Sequence, residues 1–159
     1  MNARPSGARP RATAYLHPGQ LLACAEPTTV TTILGSCVAV SLTDRHRGVG
    51  GLNHFLLPWW TSSASATPRF GNVACERLLE QLCACGASPR ALEARVYGGA
   101  SLLGGTAPTM APLGGKNVDV ALEFLAAHRI PVVESDVGGS RGRRLVINTD
   151  DGRAELRAL

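Results

Sequence analysis

The sequence predicts an α+β fold, a layered sandwich of mixed β-sheet with two helices packed on one face. Three observations predict it. Short apolar or β-branched runs are broken by Pro18-Gly19, Gly35-Ser36 and Asp151-Gly152, the punctuation of strands. Only two stretches repeat apolar residues at helical spacing. Strands therefore outnumber helices, and both helices must bury an apolar stripe against sheet.

Ala12 to Leu16, Gln20 to Cys24 and Thr29 to Leu34 are the first strand candidates. Cys37 to Leu42 alternates after Gly35-Ser36, and a turn over Thr43 to Gly48 leads into Val49 to Phe55. From Asn72 to Cys85 the period changes: Ala74, Leu78, Leu82 and Cys85 share one helical face, and Gly86 suits the C-terminal cap. Leu92 to Tyr97 reads as a strand, and Gly98 to Gly115 as a long Gly/Pro-rich loop of the kind that carries function. A second helix is expected from Val118 to His128 with Asn117 as its N-cap. Ile130 to Glu134, Arg144 to Thr149 and Arg153 to Arg157 complete the strands.

At 159 residues the chain has the length of one domain. Residues 1–11 read as a disordered basic arm, and residues 12–159 as a single folded domain. Sixteen lysines and arginines face twelve acids, and Arg4, Arg9 and Arg11 lie in the arm, so the domain itself is nearly neutral. A nucleic-acid partner would need a concentrated basic face, and none is expected. No apolar run is long enough for direct membrane insertion. No secretory h-region follows the arm, so the five cysteines, an odd number, are expected as free thiols in a cytoplasmic protein. Their spacing fits no metal set, so neither metal nor cofactor is expected.

Gly35-Ser36-Cys37 places a thiol where a tight turn meets a strand, with the Ser36 and Cys37 N–H groups near enough to hold an oxyanion. A thiol needs a base to become a nucleophile at neutral pH. His54 ends the strand that follows, and a hairpin across Thr43 to Gly48 brings it against Cys37. His17, before Pro18, and His128, at a helix end, have no comparable argument for proximity. A third group must orient the imidazole. Thr31 and Thr32 lie one strand earlier, and the residues alone do not choose between them.

The segments Thr31-Thr32-Ile33-Leu34-Gly35-Ser36-Cys37-Val38-Ala39-Val40 and Gly50-Gly51-Leu52-Asn53-His54-Phe55-Leu56-Leu57-Pro58 closely resemble the signature of the CheD family, the chemoreceptor glutamine deamidases. The likeness continues through Arg69-Phe70-Gly71, Gly98-Gly99-Ala100, Leu113-Gly114-Gly115-Lys116-Asn117 and Asp136 to Arg143. It implies a fold similar to the cytotoxic necrotizing factor deamidases and a Cys-His-Thr site. In that site Cys37 is the nucleophile, His54 the base, and Thr31, six residues before the cysteine, the orienting threonine. It also implies hydrolysis of glutamine side-chain amides on methyl-accepting chemoreceptors in chemotaxis adaptation, and binding of a CheC-type phosphatase. Arg141 and Arg143 are candidate contacts to substrate or partner. Asn72, Tyr97 and Leu102 to Pro112 depart from the family's commoner pattern and bear on those contacts. The same triad would also serve another cysteine acyl hydrolase, an esterase or peptidase, or persist in a non-catalytic adaptor.

Overall fold

The computed structural model describes residues 10–62, 64–102 and 112–159. Nearly all of the basic arm, and the middle of the Gly/Pro-rich loop, lie outside them. The described strands are β1 (Ala12–Tyr15), β2 (Leu21–Cys24), β3 (Thr28–Leu34), β4 (Val38–Asp44), β5 (Val49–Asn53), β6 (Glu93–Gly98), β7 (Val132–Val137), β8 (Arg143–Asn148) and β9 (Ala154–Ala158). The helices are α1 (Gly71–Ala84) and α2 (Leu113–Ala127).

The strands form two mixed sheets, β1-β3-β8-β9 and β2-β5-β4-β6-β7. One pair in each, β1 with β3 and β6 with β7, is parallel. Alternation along β4 explains the layering, because all seven of its residues are buried. Val38, Val40 and Leu42 join a core with Ala74, Leu78 and Leu82 of α1 and with Ala121 and Leu125 of α2. Ala39 points the other way, into a second core with Val30 and Leu34 of β3, Leu52 of β5, Tyr97 of β6, and Leu145 and Ile147 of β8. The molecule is thus three layers, sheet on sheet on helices, with β4 apolar on both faces. The helices cover one face, as the sequence predicts.

Two elements differ most from expectation. Helix α2 begins at Leu113, not Val118, so Asn117 lies inside the helix, fully buried, and does not cap it. The Gly114-Gly115 pair reads as loop but is helical because the first turn presses against another backbone. A Cβ on Gly114 would lie 2.4 Å from the Gly99 carbonyl oxygen. Strand β7 is displaced toward the C-terminus, to Val132–Val137, where it pairs with β6 along the edge of the sheet. Asn72, one of the departures in the sequence, clasps the segment before α1: its carboxamide accepts from the Trp60 N–H at 2.8 Å and donates to the Trp60 carbonyl at 3.2 Å. Among the described residues, no helix is long and apolar enough to cross a membrane.

Candidate active site

Strands β4 and β5 pair antiparallel, with Ser41 opposite Leu52, and a bridge between Val38 and Phe55 continues that register past the end of β5. Two main-chain bonds make the bridge, Val38 N–H to the Phe55 carbonyl at 3.1 Å and the reverse at 3.0 Å. Cys37 and His54 each immediately precede one of these partners, so both side chains leave the face opposite Val38 and Phe55 and enter the layer between the sheets. They are diagonal neighbours in that register. The hairpin read from the sequence is present, and its register sets the two residues on one face of the sheet.

The turn carrying Cys37 is fixed at three successive carbonyls. Gly35 accepts from the Ala100 N–H at 2.9 Å, Ser36 from the Asn117 Nδ2 at 3.0 Å, and Cys37 from the Gly99 N–H at 2.8 Å. Gly98 and Gly99 have φ of 106° and 70°, and a Cβ on Gly98 would lie 2.2 Å from the Cys37 carbonyl oxygen. Only glycine lets the chain wrap that closely. The same Asn117 Nδ2 donates to the Leu56 carbonyl at 2.9 Å. Among the described residues, the Ser36 and Cys37 N–H groups meet no main-chain carbonyl.

The other sheet supplies the orienting hydroxyl. Thr32 Oγ1 lies 2.7 Å from His54 Nδ1 and 2.7 Å from the Leu16 carbonyl oxygen. A carbonyl can only accept, so the single hydroxyl proton goes to Leu16 and the hydroxyl oxygen accepts from Nδ1–H. That assignment leaves Nε2 with a free lone pair. His54 is 1% exposed, and among the described residues Nε2 has no hydrogen-bond partner.

Two sequence-based assignments change, and a third residue, Arg141, keeps its exposure. The threonine against the imidazole is Thr32, not Thr31. On β3 the inward positions are Val30, Thr32 and Leu34, and Thr31 faces away from that layer. The alternation was a legible signal that the family offset overrode. Arg143 is 7% exposed, and its guanidinium donates to the Asp136 and Gly138 carbonyls and to the Asp136 carboxylate. It braces the 136–142 loop and is not free to meet a partner. Arg141 is exposed, but its Nε donates to the Leu159 carbonyl at 2.9 Å.

Electrostatically the pair is neutral at rest. Burial, with a smaller contribution from the nearby His17, pushes the His54 pKa down to about 4. Burial also raises the Cys37 thiol, with its own N–H acting in the opposite direction. Both groups are therefore uncharged at rest, and no standing thiolate is held by an imidazolium. His17, set aside on sequence, belongs to the surroundings of the site: it is exposed and packs against the Tyr15 ring at 4.8 Å between centroids. Among the described residues, no cluster of three or more His, Cys, Asp or Glu could hold a metal ion.

The family model for CheD chemotactic sensory transduction matches residues 56–158, a span that begins just after the histidine. The chain is 47% identical over 138 residues to the probable chemoreceptor glutamine deamidase CheD of Trichlorobacter lovleyi, covering 87% of this chain and 85% of that protein. It is 48% identical over 149 residues to the probable chemoreceptor glutamine deamidase CheD 1 of Anaeromyxobacter dehalogenans, covering 94% and 86%. The similar protein of Sulfurimonas denitrificans, under the same name as the first, is 39% identical over 143 residues, covering 90% and 92%.

Proposed function

This chain belongs to the CheD family, and from that premise we propose that it hydrolyses glutamine side-chain amides of chemoreceptors to glutamate, with Cys37 as nucleophile, His54 as general base and acid, and Thr32 orienting the imidazole. The observation that carries the reading is the buried His54 ring, held at Nδ1 by Thr32 and free at Nε2, on the same face as Cys37.

The neutral resting pair dictates the order of events. As sulfur approaches the carboxamide carbon, Nε2 removes the thiol proton while the C–S bond forms, and negative charge moves to the amide oxygen. The Cys37 N–H is suited to receive it. Imidazolium then gives its proton to the departing ammonia as the C–N bond breaks. Water, deprotonated by Nε2, adds to the thioester and expels the thiol, giving glutamate. No cofactor enters these steps.

The same reading places the protein in the cytoplasm in chemotaxis adaptation, where it meets a receptor helix and a CheC-type phosphatase. Leu57 and Trp59, exposed and apolar, follow directly on Leu56, the residue opposite Cys37, and suit contact with a helical substrate. The test incubates the protein with a chemoreceptor cytoplasmic domain and reads each methylation-region glutamine by peptide mass spectrometry. Amide-to-acid conversion that disappears in Cys37→Ala supports the reading. Equal conversion by Cys37→Ala refutes the mechanism, and receptor binding without any conversion makes the protein an adaptor.

A further inference from the structure

The Asn117 carboxamide has both Nδ2 hydrogens committed, one to the Ser36 carbonyl at 3.0 Å and one to the Leu56 carbonyl at 2.9 Å. The side chain is fully buried, and its Oδ1 has no partner among the described residues. It comes from the third layer, through α2, and reaches the edge of the middle sheet where the nucleophile turn and the histidine strand run side by side. Ser36 immediately precedes Cys37, and Leu56 lies opposite it in the extended register. One amide thus ties together the two segments that carry the reacting pair.

The Ser36 carbonyl and the Cys37 N–H belong to one peptide unit. In a trans peptide the two point in opposite directions, so holding the carbonyl against Asn117 aims the N–H away from the helix. We propose that Asn117 is a positioning residue for the oxyanion donor: by pinning the Ser36 carbonyl it fixes the direction of the Cys37 N–H, and through Leu56 it fixes the spacing between that turn and the His54 strand. The proposal rests on Cys37 attacking an acyl carbon, not on glutamine being the substrate.

Two reactions of the same sulfur separate this role from ordinary structural support. Acylation of Cys37 by p-nitrophenyl acetate passes through an oxyanion, whereas alkylation by iodoacetamide is displacement at a saturated carbon and creates none. Asn117→Ala removes both donors, and Asn117→Ser keeps one hydroxyl able to reach one carbonyl at a time. Both rates are measured at one pH on the full chain, with thermal melting as the check on folding. Acylation is expected to fall about 10- to 100-fold in Asn117→Ala and less in Asn117→Ser, while alkylation stays within about threefold. Should Asn117→Ala fail to melt cooperatively, Asn117→Ser alone decides. Equal losses in the two reactions, or no loss of acylation in a folded variant, overturn the proposal. An unmutated protein that acylates at Cys37 but converts no receptor glutamine sinks the substrate reading instead and leaves this comparison decisive.

Discussion

Replacing Thr32 with valine, beside the matched replacement of Thr31, tests the site where geometry and family likeness part. Thr32→Val keeps the shape but removes a hydroxyl that serves two buried groups, the Leu16 carbonyl and the His54 Nδ1–H. Each stranded group costs about 1–3 kcal/mol, and the added methyl returns roughly 0.8 kcal/mol. The net loss is about 1–5 kcal/mol, which for a domain of this size lowers Tm by roughly 2–20 °C. Activity suffers separately, because an imidazole without its Nδ1 partner can turn over or change tautomer and lose the free Nε2 lone pair. A fall of about 100-fold in kcat/KM is expected. Thr31 is half-buried and faces away from the site, so Thr31→Val is expected to stay within about 0.5 kcal/mol and near full activity. Thermal melting and mass-spectrometric receptor conversion measure both. Loss of activity in Thr31→Val with Thr32→Val unimpaired would refute the assignment.

The remaining expectations concern charge and packing. His54 must be neutral to act as base, and its pKa is held down to about 4 against an ordinary 6.5, so receptor conversion should stay level from neutral pH into the acid range and fall only near the lower value; a midpoint near 6.5 would count against burial. Between those two values the unfolded chain binds the proton and the folded chain does not, so stability rises with pH across that window. It falls by up to about 3 kcal/mol on acidification, a slope that denaturant titrations should find reduced in His54→Gln. Iodoacetamide alkylation of Cys37 should keep rising past the ordinary thiol value of 9.0, because burial raises this thiol; a plateau at about pH 6–7 would reveal a resting thiolate instead. In α2, a Cβ on Gly115 meets nothing within 4 Å, so Gly115→Ala should stabilise by about 0.5–1 kcal/mol. Gly114→Ala, forced into the Gly99 and Ala100 carbonyls, should lower Tm sharply and inactivate.

Much of the fold is legible because its signals are local. The period-two runs of β3 and β8, the helical stripe of α1 and the glycine after it, and the hairpin joining β4 to β5 all follow from residues close in sequence. What is not legible depends on one backbone touching another. Gly114 reads as a helix breaker until the Gly99 carbonyl appears against it, so the start of α2 moves by a full turn and Asn117 changes from cap to clamp. Arg143 reads as a surface charge until β8, which it begins, places the guanidinium under the Asp136 and Gly138 carbonyls.

The site divides in the same way. Cys37 and His54 could be paired from sequence because the hairpin that joins them is short. The choice between Thr31 and Thr32 needed the facing of β3, which its own alternation of Val30, Thr32 and Leu34 contains. An offset carried over from other chains assumes equal backbone geometry between strand and cysteine, whereas alternation depends only on the strand itself. The protonation state was beyond reach of either signal. A cysteine beside a histidine suggests an ion pair, but the charged forms are disfavoured here because the sheets bury His54 and half-bury Cys37. Burial of that kind belongs to the assembled layers and not to the motif. On the proposed mechanism it also shifts the chemistry from a stored thiolate to proton transfer during attack, which makes the direction of Nε2 and of the Cys37 N–H matter more than charge. Thr32 fixes the first of these directions and Asn117 the second, each from a different layer, so the three-layer arrangement is itself what prepares a neutral pair to react.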